Sequence, residues 1–138
     1  MTGSGTILVT WTSSLGGTRF GVKAARLTST GLQPAQLSTD DTANASLDDA
    51  AVGPNGQAAI VWTQSDTANP LVTVAYAALS TGPGIPFGPG ELINPPNTTG
   101  AGPTVAFQPV TGEPVVLLGL QEKDNTRATV SLIRTSGG

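Results

Sequence analysis

The stretch GPNGQAAIVW, residues 53–62, decides the fold class of this chain. Its Asn55-Gly56 pair predicts a tight hairpin turn, because both residue types tolerate a positive φ. The apolar residues that follow predict a short buried strand ending on a tryptophan. The same order of turn, apolar strand and aromatic residue occurs in residues 2–11, TGSGTILVTW, and a weaker copy occupies residues 108–118, QPVTGEPVVLL. Three copies of one turn-and-strand unit predict a β repeat architecture.

The copies recur at a nearly constant interval. Trp62 follows Trp11 by 51 residues, the same interval that separates Gly56 from Gly5, and Gly112 follows Gly56 by 56 residues. A period of about 50 residues fits four short strands, the content of one β-propeller blade. A β-sandwich also consists of many short strands, but it does not repeat one turn, strand and aromatic at a fixed period. We therefore expect an all-β fold of propeller-like, four-stranded antiparallel blades, with a β-sandwich as the alternative.

The period divides a single all-β domain, residues 1–138, into about 2.5 to 3 units. The units run approximately over residues 1–46, 47–102 and 103–138. Apolar runs, alternation and turn signals predict ten strands, at residues 6–12, 19–28, 32–37, 47–52, 57–63, 71–80, 91–93, 103–107, 115–120 and 127–135. The first unit then lacks its inner strand and the third its outer strand. The almost continuously apolar strand 6–12 is predicted to be covered on both faces.

The composition excludes several classes of function. The chain has 18 glycines and 11 prolines but only 11% charged and 4% aromatic residues, which favours turns and short strands over helices. It has no cysteine and no histidine, so disulfides, thiolate nucleophiles, Cys/His zinc sites and imidazole bases are excluded. A net charge of −3 with six scattered Lys and Arg residues argues against nucleic-acid binding.

The sequence also bears on location. No apolar run approaches the length of a membrane span. The first residues, MTGSG, lack the basic segment and apolar core of a signal peptide. Low charge, many threonines and no cysteine are typical of bacterial surface proteins that do without disulfides. An extracellular or cell-surface location is favoured, but a cytosolic protein could have the same composition, so the compartment stays open.

Two motifs resemble sialidase-type β-propellers (BNR or Asp-box repeats) and the related repeats of bacterial surface proteins. Residues 103–107, PTVAF, and 50–56, AAVGPNG, with the IVW that follows, are similar to the family's inner strand, turn and Trp-ended second strand. Residues 80–87, STGPGIPF, are similar to the Asp-box turn Ser-x-Asp-x-Gly-x-Thr-Trp. Ser80, Gly84 and Phe87 fit this pattern, whereas glycine replaces the Asp and proline replaces the Thr. Backbone restriction by Gly and Pro is expected to hold the turn in place of the Asp side chain.

The resemblance implies which parts a sialidase would need: an arginine cluster, a Tyr nucleophile paired with a Glu, and an Asp acid/base. The chain offers Tyr76 and the arginines Arg19, Arg26, Arg127 and Arg134. Arg26 and Arg134 each follow a valine by four residues, so they occupy similar places in their units and could converge near an axis. No Glu is an evident partner for Tyr76, and outward-facing arginines that protect sheet edges are the favoured interpretation. We therefore expect no catalytic residues and no enzyme.

Other polar and aromatic residues have a functional and a structural interpretation. Asp48 and Asp49, on a predicted inner strand, could hold a cation or polar ligand, but a solvated strand start is favoured because no further ligands are spaced beside them. Trp11 and Trp62 could stack on sugars, but their shared repeat position favours packing between blades. No metal or cofactor is predicted. The weakly supported ligand-binding residues are thus Arg26, Arg134, Asp48, Asp49 and Tyr76.

Unpaired strand edges at both ends of the repeat array would recruit partners. The sequence thus predicts a non-catalytic scaffold or binding module that associates with its own copies or with adjoining repeats of a longer chain, and that binds a glycan or protein at a surface. Two copies of three units would give six blades, a common number for a propeller. The alternative is a fragment of a sialidase-like glycoside hydrolase.

Overall fold

Every element of regular structure in the computed structural model is a β-strand, and the model describes residues 7–28, 31–37, 44–66, 68–122 and 128–134. The all-β class is confirmed. Among the residues described there is no helix that could cross a membrane. The ten strands are β1 (Ile7–Gly16), β2 (Arg19–Thr28), β3 (Gly31–Gln36), β4 (Ala45–Val52), β5 (Ala58–Ser65), β6 (Thr73–Ser80), β7 (Glu91–Leu92), β8 (Thr98–Phe107), β9 (Pro114–Glu122) and β10 (Ala128–Arg134).

The strands form three small antiparallel sheets in chain order. The first sheet has the order β1-β2-β3, the central sheet β4-β5-β6-β7 and the third sheet β8-β9-β10. Every pairing joins strands that are neighbours in sequence, so each sheet is a meander of hairpins. None of the three sheets closes on itself.

The central sheet lies between the other two, and β5 shows why. Ile60 and Trp62 pack in one cluster with Val22 and Ala24 of the first sheet. Val61, on the opposite face of the same strand, packs with Val105 and Val116 of the third sheet. Because both faces are covered, β5 is apolar at successive positions rather than at alternate ones. We call the face of a sheet that carries the Trp62 position its front face, and the opposite face its back face.

The prediction that strand β1 is covered on both faces was wrong. Ile7 and Val9 are about half exposed. Leu8, on the other face, packs against the core between the first and central sheets. The apolar run of β1 therefore covers one buried face and one open face.

Strand β8 begins five residues before the predicted strand at residues 103–107, just after a segment that is rich in proline and asparagine. The side chain of Asn94 organises this segment: its Oδ1 accepts from the Ala75 amide at 2.6 Å, and its Nδ2 donates to the Thr98 carbonyl at 3.4 Å. A bulge between Ala101 and Thr104 then places a proline in the strand, which is tolerated because β8 is an edge strand.

The 53–57 turn also differs from the predicted two-residue hairpin. The Gly56 amide donates to the Gly53 carbonyl at 3.1 Å, and proline and asparagine occupy the two central positions. Gly56 has a φ of 76°, whereas Asn55 is not among the described non-glycine residues with positive φ. The turn thus has proline at its second position and glycine at its fourth, a pattern typical of type I turns. Gly112 has a φ of 70° in the corresponding turn of the third sheet, and Gly5 lies outside the described residues.

Gly84 and Gly56 have similar φ angles, so substituting each by alanine separates the effect of a steric contact on stability from the effect of a positive φ. Gly84 has a φ of 70° and open space around its missing Cβ, whereas a Cβ at Gly56 would lie 2.6 Å from Cγ of Pro83. We expect Gly84→Ala to lower the free energy of unfolding by about 1–2 kcal/mol, the cost of a left-handed residue with a side chain. Gly56→Ala should cost clearly more, because the proline ring cannot rotate away. Urea unfolding followed by circular dichroism measures both values, and equal losses would contradict the contact.

Candidate functional site

The two neighbouring carboxylates of β4 hold different partners. Asp48 accepts from the Thr63 hydroxyl at 2.9 Å and is exposed. Asp49 is half-buried; its Oδ1 accepts from the Ala50 amide at 2.8 Å and its Oδ2 from the Val105 amide at 2.9 Å. Asp49 therefore joins the central sheet to the edge strand of the third sheet. The described residues contain no group of three or more acidic, His or Cys side chains that could hold a metal ion.

Because Asp48 and Asp49 accept different hydrogen bonds, we expect their substitution to change the free energy of unfolding by different amounts. Asp49→Ala removes the acceptor of two amides, one of them in a different sheet, and should lower the free energy of unfolding by about 1–3 kcal/mol. Asp48→Ala removes one exposed hydrogen bond and should change it by no more than about 0.5 kcal/mol. Parallel denaturant titrations of the two variants provide the comparison. A loss in Asp48→Ala as large as that in Asp49→Ala would show that Asp49 does not join the sheets.

The aromatic candidates lie on front faces. Trp62 is buried, stacks on Tyr76 with ring centroids 5.7 Å apart, and donates from Nε1 to Oε1 of Gln64 at 3.0 Å. Tyr76 is half-buried and pairs directly with Trp62 in the β5–β6 register. Trp11, at the equivalent position of the first sheet, is half-buried. The Trp62 ring thus offers no open face to a sugar.

The turn that follows β6 is braced by a side chain. The hydroxyl of Ser80 donates to the Ile85 carbonyl at 2.6 Å and contacts the Gly82 carbonyl at 3.3 Å. Gly84 has a φ of 70°, and the Gly88 amide donates to the Leu79 carbonyl at 2.8 Å. The expected backbone restriction by Gly and Pro in place of the Asp side chain stays a prediction, and the structure adds a side-chain brace from Ser80.

Arg26 is the polar residue that the sequence interpretation placed least well. It was favoured as outward-facing, but it is only 6% exposed, because it lies on the back face of the first sheet where the central sheet covers it. Its Nη1 donates to the Gly82 carbonyl at 2.6 Å, and its Cζ lies 5.3 Å from the ring centre of Phe87. The turn that begins at Ser80 is thus the structure that covers Arg26.

The remaining donors of Arg26 are not satisfied. Its Nε and Nη2 atoms are buried and have no hydrogen-bond partner among the residues that the structure describes. These two N–H groups lie on one edge of the guanidinium, the edge that binds a carboxylate with two parallel hydrogen bonds. Burial lowers the pKa of Arg26 below its ordinary value, because the charged form loses hydration.

The strand registers relate Arg26 to Arg134. Arg26 pairs with Leu8 in the first sheet, and Arg134 pairs with Val115 in the third. Leu8 and Val115 are equivalent, because the repeat intervals of 51 and 56 residues relate both of them to Ala59. The two arginines therefore occupy the same register position. In the central sheet Leu79, which pairs with Ala59, occupies this position. The side chain of Arg134 and the whole of Arg127 lie outside what the structure describes.

A cavity of about 260 Å³ opens where the central and third sheets meet at their turn ends. Its apolar wall includes Leu79, Phe107 and Pro114, and its polar lining residues include Gln57 and Glu113. Gln57 Nε2 approaches the Gly112 carbonyl at 3.4 Å and so links the two turns. Sequence reasoning did not find this cavity, because its lining comes from two units that are distant in the chain.

No protein-family model, curated protein or solved structure matches this chain. The resemblance to sialidase-type propellers therefore rests on the motifs alone and stays a prediction. Of the candidate residues, the structure brings Arg26 to Phe87 and Tyr76 to Trp62, and it gives Asp48 and Asp49 separate partners. Chemically, these contacts hold sheets and turns together.

Proposed function

We propose that this chain is a non-catalytic, propeller-like scaffold module that acts through its surfaces. One observation carries the proposal: in both joints the first strand of a sheet packs on the preceding sheet. Strand β4 packs on the first sheet, and β8 packs on the central sheet. In each joint an amide of that edge strand donates to a side chain of the preceding sheet, Leu47 to Thr12 Oγ1 at 3.2 Å and Val105 to Asp49 Oδ2 at 2.9 Å. Similar packing at both joints supports a modular array of blades.

The contacts of the candidate residues support a role without catalysis. A sialidase-like site would need arginines that reach a substrate carboxylate and a tyrosine free to attack. Arg26 is instead covered by the turn that begins at Ser80 and includes Phe87. Tyr76 lies against Trp62 in the core between the first and central sheets. No contact of the described residues favours the hydrolase alternative over the scaffold.

The cavity at the turn ends is the place where such a scaffold would bind a small polar ligand, such as one sugar of a glycan. Its volume of about 260 Å³ suits a single ring, the Phe107 and Pro114 wall suits the apolar face of a sugar, and Glu113 and Gln57 can bond hydroxyls. Glu113 also lies at the exposed rim, where substitution should not disturb the core.

Two assays test the proposal. On a glycan array, we expect wild-type binding that is lost in Glu113→Ala and kept in Glu91→Ala, a control at another exposed glutamate. With a fluorogenic sialoside we expect no turnover. Turnover that disappears in Tyr76→Phe, which keeps the aromatic stack, would overturn the non-catalytic assignment. An array without hits would restrict the role to that of a structural scaffold.

A further inference from the structure

We propose that the front face of the first sheet binds the back face of the third sheet of a second copy of this chain. The inference rests on the proposed modular scaffold. It specifies which two surfaces meet and that the partner is a second copy of the chain. It begins from an apolar surface on the first sheet, whose exposed members are Ile7, Val9, Leu27 and Leu32, with Trp11 half-buried beside them.

These residues form one continuous surface because the register aligns them. Ile7 pairs with Leu27, and Leu27 pairs with Leu32, so the three side chains form a row across the sheet. Val9 stands in the next row along β1, and Trp11 in the row after it. Directly paired residues of an antiparallel sheet share a face. Contiguous exposed apolar patches of this kind mark interaction sites.

Equivalent positions in the other two sheets are covered. The position of Val9 corresponds to Ile60 in the central sheet and to Val116 in the third, at the offsets of the repeat. Val9 is 44% exposed, whereas Ile60 and Val116 are both 0% exposed. Ile60 is buried because the first sheet lies on it, and Val116 because the central sheet lies on it. The front face of the first sheet has the same kind of surface, and no sheet in the described part of the chain covers it.

The back faces show the complementary pattern. The position of Leu117 on the third sheet corresponds to Val61 on the central sheet and to Thr10 on the first. Leu117 is 46% exposed, whereas Val61 is 0% exposed because the third sheet covers it, and Thr10 is half-buried. Among the described residues, each face type is therefore covered in two sheets and open in one.

The joints within the chain indicate which partner fits the open front face. Both joints place the back face of one sheet against the front face of the next, and neither places two front faces together. The surface that continues this order is the back face of a third sheet, which a second copy carries. The resulting contact is head-to-tail, so it generates a ring or an open chain of copies rather than a symmetric pair of identical patches.

The test uses one substitution on each surface. Val9→Arg and Leu117→Arg place a charge at positions that are about half exposed in the single chain, so each variant can still fold. In light scattering coupled to size exclusion, we expect wild type at a multiple of the monomer mass and each variant as a monomer. Leu71→Arg, at a residue 95% exposed in the β5–β6 connection, is the matched control and should keep the wild-type mass.

Mixing the two variants identifies the geometry. The Val9→Arg copy keeps an intact third sheet, and the Leu117→Arg copy keeps an intact first sheet. A head-to-tail contact therefore predicts that an equal mixture of the two monomers forms a dimer. Circular dichroism of each variant confirms that it is folded, and Val9→Thr, which keeps the side-chain shape, replaces Val9→Arg if the latter unfolds.

Three outcomes would overturn the proposal: a monomeric wild type, a Leu117→Arg variant that still associates, or a mixture that stays monomeric. The second would show that the first sheet pairs with another surface, and the third that the contact is not head-to-tail. None of these outcomes affects the glycan and sialoside assays, which a monomer can pass. Conversely, sialoside turnover would overturn the non-catalytic function and leave the contact between copies in place.

Discussion

Trp62→Ala is expected to lower the free energy of unfolding by about 3–5 kcal/mol. The indole is fully buried between the first and central sheets, in the cluster that contains Val22 and Ala24. It also stacks on Tyr76 and donates to Gln64. Gly90 approaches the ring so closely that a Cβ there would lie 2.6 Å from it, so the site is tightly packed and cannot collapse easily. Truncation would leave a cavity at the joint that both sheets share.

Trp11→Ala is the matched control, because Trp11 has the same place in the repeat but is only half-buried. We expect it to cost about 1 kcal/mol, the typical value for a substitution that leaves no core cavity. Both substitutions are made in the Leu117→Arg chain, so that contact between copies does not add to the result. Urea unfolding is followed by far-ultraviolet circular dichroism, since each variant loses a tryptophan fluorophore.

Equal costs for the two tryptophans would contradict the difference in burial between the first and central sheets. Should Trp62→Ala be unfolded in buffer, Trp62→Phe provides the graded version, because it keeps the stack on Tyr76 and removes the donor to Gln64. The free energy of unfolding of Trp62→Phe should lie between those of wild type and Trp62→Ala. A variant as stable as wild type would show that the indole does not hold the two sheets together.

Sequence patterns predicted the strands well, because strands and turns leave local signals. All ten strands were expected, and β6 and β9 begin and end within two residues of their predicted bounds. The offset that relates Trp11 to Trp62 also relates their strands, since β1 and β5 each pair with the strand that follows them in sequence. Periodicity at two residues and glycine at positive φ are properties of the chain itself, so they can be read without knowledge of tertiary contacts.

Contacts between sheets were beyond the sequence, because they join residues about 55 positions apart in the repeat and no local pattern encodes them. The Asp49 bond to β8 and the cavity beside Phe107 are of this kind. The open face of β1 is another, since an apolar strand looks the same whether or not a sheet covers it. Arg26 did leave a signal. It alternates with Val22 and Ala24 on one face of β2, and both of these residues are buried. This alternation is compatible with burial, but the arginines were interpreted as outward-facing residues that protect sheet edges.

The burial of Arg26 leads to the second large expected effect: Arg26→Met should raise the free energy of unfolding by about 1–4 kcal/mol. Two donors of the guanidinium are buried without partners, so the hydration lost on folding is not recovered. Methionine has a similar length, carries no charge and makes favourable contacts with an aromatic ring such as Phe87. The Gly82 carbonyl keeps a donor, because the Ile85 amide also bonds to it, at 3.2 Å. Replacement therefore removes a buried charge without leaving a new unpaired group.

Arg26→Lys is the control for charge. It keeps a cation under the Phe87 turn without the length or planarity of arginine, so it should be no more stable than wild type. Denaturant unfolding of the three proteins near neutral pH gives the order, with methionine highest. If Arg26→Met instead loses stability, the guanidinium is compensated in the folded protein by a partner, and titration with acetate or phosphate would show whether an anion supplies it.

The pH dependence of the stability difference between Arg26→Met and wild type independently tests whether the buried guanidinium destabilises the folded protein. Because burial lowers the pKa of Arg26 in the folded state, the unfolded chain binds the proton more tightly than the folded chain does. The penalty for the buried charge is therefore complete below the folded pKa and is relieved as the pH rises through it towards the ordinary value. The advantage of Arg26→Met over wild type should be constant around neutral pH and shrink only as the pH rises through the folded-state pKa of Arg26. An advantage that grows with pH would mean that the folded state favours the charged guanidinium, and that its two unpaired donors are not the source of the effect.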